Sequence, residues 1–149
     1  MTHFRLIAFA AIVLLAVWAG AALAQRPQPQ VVRLDPGYGG VCEACDLRGR
    51  VLTGARMTSS VFDRSDFSRA ILTRIDATES RFEGANFTAA DLSEAKLVGA
   101  HLTGAQFDGA NLSGADLRGA HGLTQSQLNG ACGDARTRLP RGLRVQVCE

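Results

Sequence analysis

The sequence of 149 residues predicts an all-β fold, a solenoid in which short strands wind into stacked coils with four sides. Fifteen five-residue units follow one another without insertion from Cys45 to Gly119, and nearly all have a large apolar residue at their centre, position i. Position i−2 is small in thirteen of these units and is alanine in nine. Like residues also recur at 20 positions, as in Phe67, Phe87 and Phe107 or Leu52, Leu72, Leu92 and Leu112. This recurrence indicates four units per coil.

A period of five argues against both ordinary secondary structures. An amphipathic helix repeats apolar residues at i+3, i+4 and i+7, and a half-buried strand alternates every two residues. A helix would turn position i+5 by about 140° and scatter the centres over all its faces. Five residues instead suit one extended segment and a corner, and successive coils stack at about 4.8 Å, the spacing of paired strands. The fifteen units make just under four coils, a stack about 18 Å tall.

Four of the units carry a recognisable motif. The units that begin at Ala85, Ala90, Ala110 and Ala115 read ANFTA, ADLSE, ANLSG and ADLRG. They resemble the A-(D/N)-L-x-x motif of the pentapeptide repeat family, and the resemblance covers about half of the chain. It implies a right-handed, four-sided β-helix with the i and i−2 side chains inside. Two units depart from the motif. Ile75 and Ala77 exchange the large and small inward residues, which a core tolerates when volume is conserved, and Arg50 brings a charge to an inward position of the first coil.

Residues 1–24 predict an export signal. Arg5 gives a positive start, an uncharged apolar stretch follows, and Ala22-Leu23-Ala24 is a small-residue cleavage site. We therefore expect cleavage after Ala24 and a periplasmic or secreted protein. The alternative is an uncleaved anchor, because the apolar stretch up to Ala24 is 19 residues long, near the length that spans a bilayer. Only in that case is contact with a membrane expected.

The rest of the chain divides into a flexible linker (25–40), the β-helix (41–119) and a C-terminal cap (120–149). The linker is inferred from its content of proline and glutamine. In the cap, Thr124 and Gln127 have the spacing of a capping box. They predict a short helix over 125–132 that Gly133 ends, and a closing strand is expected near the C-terminus. Such a cap covers the strand edges that a final coil would expose.

Four cysteines lie at the two ends of the predicted solenoid. If coils about 18 Å tall separate the ends, Cys132 cannot reach Cys42 or Cys45, since bonded Cα atoms lie within about 7 Å. We therefore expect a disulfide between Cys132 and Cys148, which closes a loop worth about 3 kcal/mol. Cys42 and Cys45 then pair with each other or stay reduced. The same separation argues against a shared zinc site.

The spacing of Cys42 and Cys45 also fits a redox C-x-x-C motif. That chemistry requires a helix after the motif to lower the pKa of the thiol, whereas repeat units follow here. We therefore favour a structural bond at the end of the solenoid and keep the redox site as the alternative. Cysteine pairs of either kind fit an oxidising compartment.

Catalytic motifs are absent from the sequence, and nothing resembles a nucleophile elbow, a phosphate loop or a string of metal ligands. Two pairs of ionisable residues have the 20-residue spacing of stacked positions. His101 and His121 could bind a metal weakly, although a solvated surface pair is the simpler interpretation. Asp63 and Glu83 could serve acid–base chemistry, although nearby arginines indicate charge compensation. The sequence therefore predicts no enzyme, no cofactor and no metal site.

Surface charge gives the functional hypothesis. Without the signal the chain has 15 basic and 14 acidic residues, so it differs from the acidic family members that resemble DNA and occupy DNA gyrase, and no nucleic-acid partner is expected. One column alternates in charge through Arg56, Asp76, Lys96 and Asp116 and would favour the correct stacking register. Positive charge is concentrated on the first two coils by Arg64, Arg69, Arg74 and Arg81. These four arginines are a candidate patch for an anionic partner, with plain solubility charge as the alternative.

Two function classes follow. The first is a non-enzymatic exported scaffold of the cell envelope, a protein-interaction solenoid whose partner is a protein or another envelope component. A homodimer through the C-terminal helix is compatible with this class. The second is a redox or other enzymatic accessory that acts through Cys42 and Cys45.

Overall fold

The structure, a computed structural model, describes residues 40–149. The predicted export signal and nearly all of the predicted linker lie outside the described residues. Within residues 40–149, no helix is long and apolar enough to cross a membrane.

Residues 41–121 form the solenoid. Parallel bridges join residues 20 positions apart along its whole length, from Val41–Val61 to His101–His121. Each bridge is made by two hydrogen bonds: in the first bridge, Val61 N–H donates to the carbonyl of Gly40 and Cys42 N–H donates to the carbonyl of Val61, both at 2.8 Å. A shift of 20 residues per coil agrees with the recurrence of phenylalanine and leucine in the sequence.

The coil has four sides, numbered here by the inward residues at their centres. Side 1 carries Cys42, Phe62, Phe82 and Leu102; side 2 carries Leu47, Phe67, Phe87 and Phe107; side 3 carries Leu52, Leu72, Leu92 and Leu112; and side 4 carries Met57, Ala77, Leu97 and Leu117. Sides 1 and 3 are opposite each other, as are sides 2 and 4.

Phenylalanine rings fill the core between sides 1 and 2. Phe87 stacks on Phe67 with ring centroids 5.1 Å apart and under Phe107 at 5.2 Å, and it meets Phe82 edge-on at 5.4 Å. The inverted unit is also inward, since both Ile75 and Ala77 are buried. The swap of large and small residues is therefore accommodated inside one coil.

The corners explain the motif letters. All sixteen i+2 residues of the coils have positive φ, with glycine at half of the corners and residues such as Ala89 (φ 56°) at the others. Where i−1 is aspartate or asparagine, its side chain accepts the N–H of residue i+1, as Asn86 does from Thr88 at 2.9 Å. The side chain thereby closes the turn. Arg50 is exposed, so its charge lies outside the core although the residue occupies an inward position of the repeat.

Three short elements form the C-terminal cap: helix α1 (Gln125–Leu128) and strands β1 (Cys132–Gly133) and β2 (Gln146–Val147). The two strands are parallel, with Cys132 opposite Gln146. Thr124 and Gln127 form a capping box at the start of α1. The expected extent of the helix, 125–132, was wrong, because α1 ends at Leu128 and Gly133 belongs to β1. Cys132 is extended because it continues the ladder of side 3.

The cap covers all four sides of the last coil. His121 forms a bridge with His101 on side 1. Backbone N–H groups of sides 2, 3 and 4 donate, at 2.6–2.7 Å, to the carbonyls of Gly130, Cys132 and Arg138 respectively. The offset to the coil below grows from 20 residues at His121 to 21 at Cys132 and 22 at Arg138, because α1 and the following turns insert extra residues. Leu128, fully buried, serves as an inward residue of this irregular coil.

Candidate functional site

The four arginines of the predicted patch do not share a surface. Arg64, Arg69 and Arg74 occupy the i+2 position of three successive units, so they lie at three successive corners of one coil. Arg81 lies on side 1 of the next coil, where it bridges Val61 and His101. The expectation that the four arginines form one patch was wrong, because each step of five residues turns the chain onto the next side.

Two of the four arginines are already neutralised. Arg64 forms an ion pair with Glu43 at 3.1 Å. Arg81 pairs with Asp63 and lies 3.8 Å from Glu83. Asp63 is buried, and its other carboxylate oxygen accepts the backbone N–H of Glu83 at 3.0 Å. Asp63 therefore ties two coils together, and the geometry matches charge compensation rather than an acid–base pair.

Arg69 and Arg74 differ from the other two arginines. Both are exposed, and neither forms an ion pair within residues 40–149. They lie at the two corners that border side 3 of the second coil. Two cations that form no ion pair thus frame one segment of one side, and Asp91 bridges Ile71 from the next coil.

The segment between these arginines is apolar at its surface. Ile71 points outward with 41% of its surface exposed, and Val51 bridges it from the first coil with 68% exposed. Beside them the hydroxyls of Thr53 and Thr73 are hydrogen-bonded at 3.0 Å. We call this surface the apolar–basic face and define it as Val51, Thr53, Arg69, Ile71, Thr73 and Arg74.

The two histidines are neighbours, as their spacing predicts. His101 and His121 bridge on side 1, with ring centroids 4.8 Å apart and planes tilted by 31°. In the part of the chain that the structure describes, no three or more of His, Cys, Asp and Glu are grouped so as to hold a metal ion. The pair is thus a surface stack of two rings.

The four cysteines form two disulfides. Cys42 and Cys45 are bonded across the first corner with Cα atoms 5.7 Å apart, and Cys132 and Cys148 are bonded in the cap with Cα atoms 4.8 Å apart. Both members of the first pair stand at inward positions, and a repeat strand of side 2 follows them rather than a helix. This is the setting that the sequence predicts for a structural bond.

A serine supports the first disulfide, and sequence reasoning missed it. The Ser65 hydroxyl accepts the N–H of Cys45 at 3.1 Å and donates to the carbonyl of Cys42 at 2.6 Å. It thereby bridges the corner that the disulfide spans. Ser65 is fully buried. Its only sequence signal was that it stands at i−2, where alanine is usual.

A shallow cleft of about 510 Å³ lies between the last coils and the cap. Its lining residues are Glu94, Ala95, Lys96, Gly114, Asp116, Ala135, Arg136 and Arg138. Arg136 reaches across it to Glu94 at 3.6 Å. The Arg118 guanidinium, which donates to Asp116, holds the pKa of that carboxyl below its ordinary value. Charges of both signs meet here, so the cleft has no clear preference for a ligand charge.

Asp134, at the edge of this cleft, binds the cap to the last coil. Its carboxylate accepts the N–H of Gly114 at 2.8 Å and pairs with Arg136 at 3.0 Å. Burial raises the pKa of Asp134, but hydrogen bonds from the backbone N–H groups of Gly114 and Arg136 and from the Arg136 side chain outweigh burial. The pKa falls to about 2.

The structure contains the predicted column of alternating charges, and the cap extends it by one residue. Bridges join Arg56, Asp76, Lys96 and Asp116 in order, and the cap adds Arg138 above Asp116. Within residues 40–149 no ion pair forms between successive members. Asp116 instead pairs with Arg118 at 2.7 Å. The column therefore supports the register through longer-range attraction.

The family model for Pentapeptide repeats matches eight copies, over residues 42–84 and 85–121. This match covers more than half of the chain. The chain belongs to the pentapeptide repeat family. The resemblance seen in the motif is thus confirmed, and the solenoid of this pentapeptide repeat protein is the right-handed β-helix of the family.

Solved pentapeptide repeat proteins are similar to parts of the chain. Rfr23 from the cyanobacterium Cyanothece 51142 is 23% identical, with 66% of this chain and 90% of Rfr23 covered and a TM-score of 0.45. A thylakoid-lumen protein of Arabidopsis thaliana is 31% identical, with 58% and 66% covered and a TM-score of 0.26. HetL of Nostoc sp. strain PCC 7120 is 28% identical, with 66% and 48% covered and a TM-score of 0.26. A comparison with curated proteins gave no match.

Proposed function

We propose that this protein is an exported, non-enzymatic scaffold of the cell envelope that binds a protein partner through the apolar–basic face. The observation that carries the proposal is the pair of arginines, Arg69 and Arg74, that frame exposed Val51 and Ile71. Arginine is enriched among the residues that contribute most of the binding energy of an interface, and exposed apolar side chains contribute when a partner buries them.

The chemistry of this face suggests the partner. Burial of an aliphatic side chain such as Ile71 contributes roughly 1.5–3 kcal/mol, and unpaired cations attract acidic groups and raise the association rate. The matching partner is a protein segment with apolar residues flanked by acidic ones. The hydroxyls of Thr53 and Thr73 add hydrogen-bonding groups between the arginines.

Export is the second part of the proposal. It rests on the predicted signal over residues 1–24 and on the disulfides at both ends of the solenoid, which fit an oxidising compartment. The expected address is the periplasm or the outside of the cell. N-terminal sequencing of the protein from a cell-envelope fraction tests this part. A chain that begins at Gln25 is expected, and a chain that retains Arg5 would favour the anchor.

The partner can be sought by crosslinking in cells, followed by affinity purification of the tagged protein. The informative variant is Arg69→Gln with Arg74→Gln. Its matched control is Arg64→Gln with Arg81→Gln, which removes the same charge from the first two coils of the solenoid but touches arginines that are already paired. A specific partner that is lost in the first variant and kept in the control is the expected result. Equal capture by both variants would refute the role of the apolar–basic face.

A redox function is the second candidate, because Cys42 and Cys45 form a C-x-x-C disulfide and Cys45 is partly exposed. Titration of thiols in the purified mature protein separates the two candidates. Four blocked thiols that resist mild reduction support structural bonds. A pair that is easily reduced and reoxidised would support the redox function.

A further inference from the structure

The cap contains the one Asn-Gly dipeptide of the sequence, Asn129-Gly130. Asn129 follows the last residue of α1 as its C-cap, and its side chain is exposed. An asparagine amide can react with the main chain when glycine follows it, because glycine has no Cβ to shield its backbone nitrogen. The reaction requires a Gly130 nitrogen that is not held in another contact.

The Gly130 nitrogen meets this requirement. Its N–H donates no hydrogen bond to the protein within residues 40–149, whereas the Gly130 carbonyl accepts the N–H of Gly109 at 2.6 Å. The Asn129 Oδ1 accepts from the side-chain amide of Gln125 at 3.0 Å. A donor at this oxygen stabilises the negative charge that develops there when the amide carbon is attacked.

The two other asparagines of the sequence, Asn86 and Asn111, are protected from the same reaction. Each Oδ1 accepts the N–H of the residue two positions later, at 2.9 and 3.0 Å. The nitrogen that would attack belongs to Phe87 or Leu112, and these N–H groups donate to the next coil at 2.8 and 2.7 Å. The ladder therefore holds both nitrogens in place, and the large side chains of Phe87 and Leu112 hinder attack further.

We propose that Asn129 is a site of spontaneous deamidation. The Gly130 nitrogen loses its proton and forms a bond to the amide carbon of Asn129. The side-chain nitrogen leaves as ammonia, having gained a proton, and a cyclic imide results. Water then opens the imide at either carbonyl and gives aspartate or isoaspartate. Water is the sole co-reactant, so the reaction requires neither an enzyme nor a cofactor.

The folded cap slows this reaction. Asn129 has helical backbone angles, φ −63° and ψ −26°, which do not align the Gly130 nitrogen with the amide carbon. The main chain must therefore rotate at Asn129 before attack. Helix α1 has four residues, and so short a helix has little stability of its own. Its end can open locally while the disulfide between Cys132 and Cys148 restrains the rest of the cap.

Isoaspartate would disrupt the contact between the cap and side 2. It adds one carbon atom to the main chain between residue 129 and Gly130. Gly130 packs so closely on Asp108 that an added Cβ would lie 3.1 Å from the Asp108 Cα, and a displaced Gly130 cannot keep this packing. The carbonyl that accepts from Gly109 would move with it and expose the edge of side 2. The inference is independent of the proposed function, because it concerns the cap alone.

Incubation of the mature protein at neutral and at mildly alkaline pH, followed by peptide mapping with mass spectrometry, tests the proposal. Asn129 should deamidate at least about tenfold faster than Asn86 or Asn111, where a ladder hydrogen bond must break first. The rate should rise with pH, because the nitrogen attacks after it has lost its proton. The matched variant is Asn129→Gln, which keeps an amide but closes the larger ring far more slowly. It should stay unmodified.

Two further measurements test the separate steps. Removal of the cap disulfide by Cys132→Ser with Cys148→Ser should speed the reaction at Asn129, because the cap then opens more often. Hydrogen exchange follows the consequence of the reaction. The Gly109 N–H should be protected in fresh protein, lose its protection in aged protein, and keep it in aged Asn129→Gln.

Three results would each contradict the proposal. Asn129 could stay intact while a peptide of residues 126–132 reacts, or it could react no faster than Asn86 and Asn111. An equal rate without the disulfide would show that attack needs no opening of the cap. A Gly109 N–H that stays protected in the modified protein would show that the cap accommodates isoaspartate.

Discussion

Phe87 is the centre of the aromatic core. It lies between Phe67 and Phe107, with ring centroids 5.1 and 5.2 Å away, and it is fully buried. Phe87→Ala should lower the free energy of unfolding by about 3–5 kcal/mol, because it removes buried surface and leaves a cavity that rigid coils cannot close. Urea unfolding measures the change. Ile71→Ala serves as the control at a partly exposed site. A loss below about 1 kcal/mol for Phe87→Ala would contradict the stacked core.

Glycines with positive φ differ in what an added methyl group would contact. At Gly109 (φ 69°) an added Cβ would lie 3.7 Å from the Ala89 Cα, an ordinary contact, so only backbone strain opposes alanine. That strain is worth roughly 1–2 kcal/mol. At Gly122 (φ 70°) the Cβ would come within 2.9 Å of the Thr103 Cα and overlap its hydroxyl.

Gly122→Ala is therefore expected to destabilise the protein more than Gly109→Ala. The difference arises because the first change forces the last coil away from the cap in addition to straining the backbone. Thermal unfolding of the two variants under one set of conditions measures it. Equal melting temperatures would mean that the contact with Thr103 relaxes freely.

For single residues, the sequence predicts which side chains lie inside the coil. It does not predict which hydrogen bonds the buried polar side chains form. The register assigned Ile75 and Ala77 to the core, and both are buried. It also placed Ser65 inside as a small residue. That the Ser65 hydroxyl bridges Cys45 N–H and Cys42 C=O depends on distances between neighbouring coils, which a repeat pattern does not contain.

The side chain of Gln127 holds helix α1 in place, because it both accepts and donates hydrogen bonds. The Gln127 carbonyl accepts the N–H of Thr124 at 2.8 Å, and its amide donates to the carbonyls of Leu102 and Ala105 at 2.8 and 2.7 Å. A four-residue helix has little stability of its own. These contacts to the last coil therefore fix its position.

Gln127→Glu should destabilise the cap, although glutamate is the usual residue at this position of a capping box. A carboxylate still accepts from Thr124, but it has no hydrogen to donate and faces two carbonyl oxygens. We expect a loss of about 1–3 kcal/mol, larger than that of Gln127→Ala because of the added repulsion. Chemical unfolding at neutral pH measures both. A neutral effect of glutamate would show that the two carbonyls are served by water.

Asp134 makes the contact between cap and coil sensitive to acid. Its pKa in the folded protein is about 2, below the ordinary value of about 3.9. The stability that it contributes is therefore complete above about pH 4 and is lost as the pH falls towards 2. The proton of Gly114 N–H, which donates to this carboxylate, should shift in NMR spectra with a midpoint near pH 2.

The matched variant for this titration is Asp134→Asn. It keeps an oxygen that can accept from Gly114 but does not titrate, so the shift of the amide proton should disappear. The variant should also lose less stability than the natural protein between pH 4 and pH 2. A Gly114 titration that persists in the variant would assign the effect to another carboxylate.

Helix α1 shows what a local sequence pattern can and cannot predict. The capping box correctly located the start of α1, because it is a local interaction between Thr124 and Gln127. The end of α1 was placed four residues too late. Cys132 forms hydrogen bonds with the backbone of Ala110 and Leu112. These bonds hold Cys132 in an extended conformation, and a local sequence pattern does not contain such long-range contacts.

The arrangement of surface charge belongs to the whole molecule. The alternating column from Arg56 to Asp116 was predictable because its members are 20 residues apart. The four arginines were grouped wrongly because three of them are five residues apart, which separates them by a corner. Proximity in a solenoid follows the coil length, so neighbours in sequence are often on different surfaces.

Removal of the cap should allow copies of the solenoid to stack head to tail. A chain that ends at His121 lacks the groups that pair with sides 2, 3 and 4 of the last coil, so both ends of the solenoid present open edges. We expect concentration-dependent growth of long head-to-tail stacks. Light scattering after size-exclusion chromatography measures the mass, with full-length Gln127→Ala as the control. A truncated chain with the mass of the full-length form would contradict this role of the cap.

Each five-residue unit turns the chain by a quarter of a coil. The number of units therefore sets both the length of the solenoid and the direction in which its last residues face. Gain or loss of a whole coil during evolution would lengthen or shorten the rod by about 4.8 Å and leave every surface pointing where it was. Gain or loss of a single unit would keep the inward residue types intact but rotate everything after it by one side. The number of repeat units alone therefore sets the direction in which the C-terminal cap faces, around the solenoid axis, relative to the apolar–basic face.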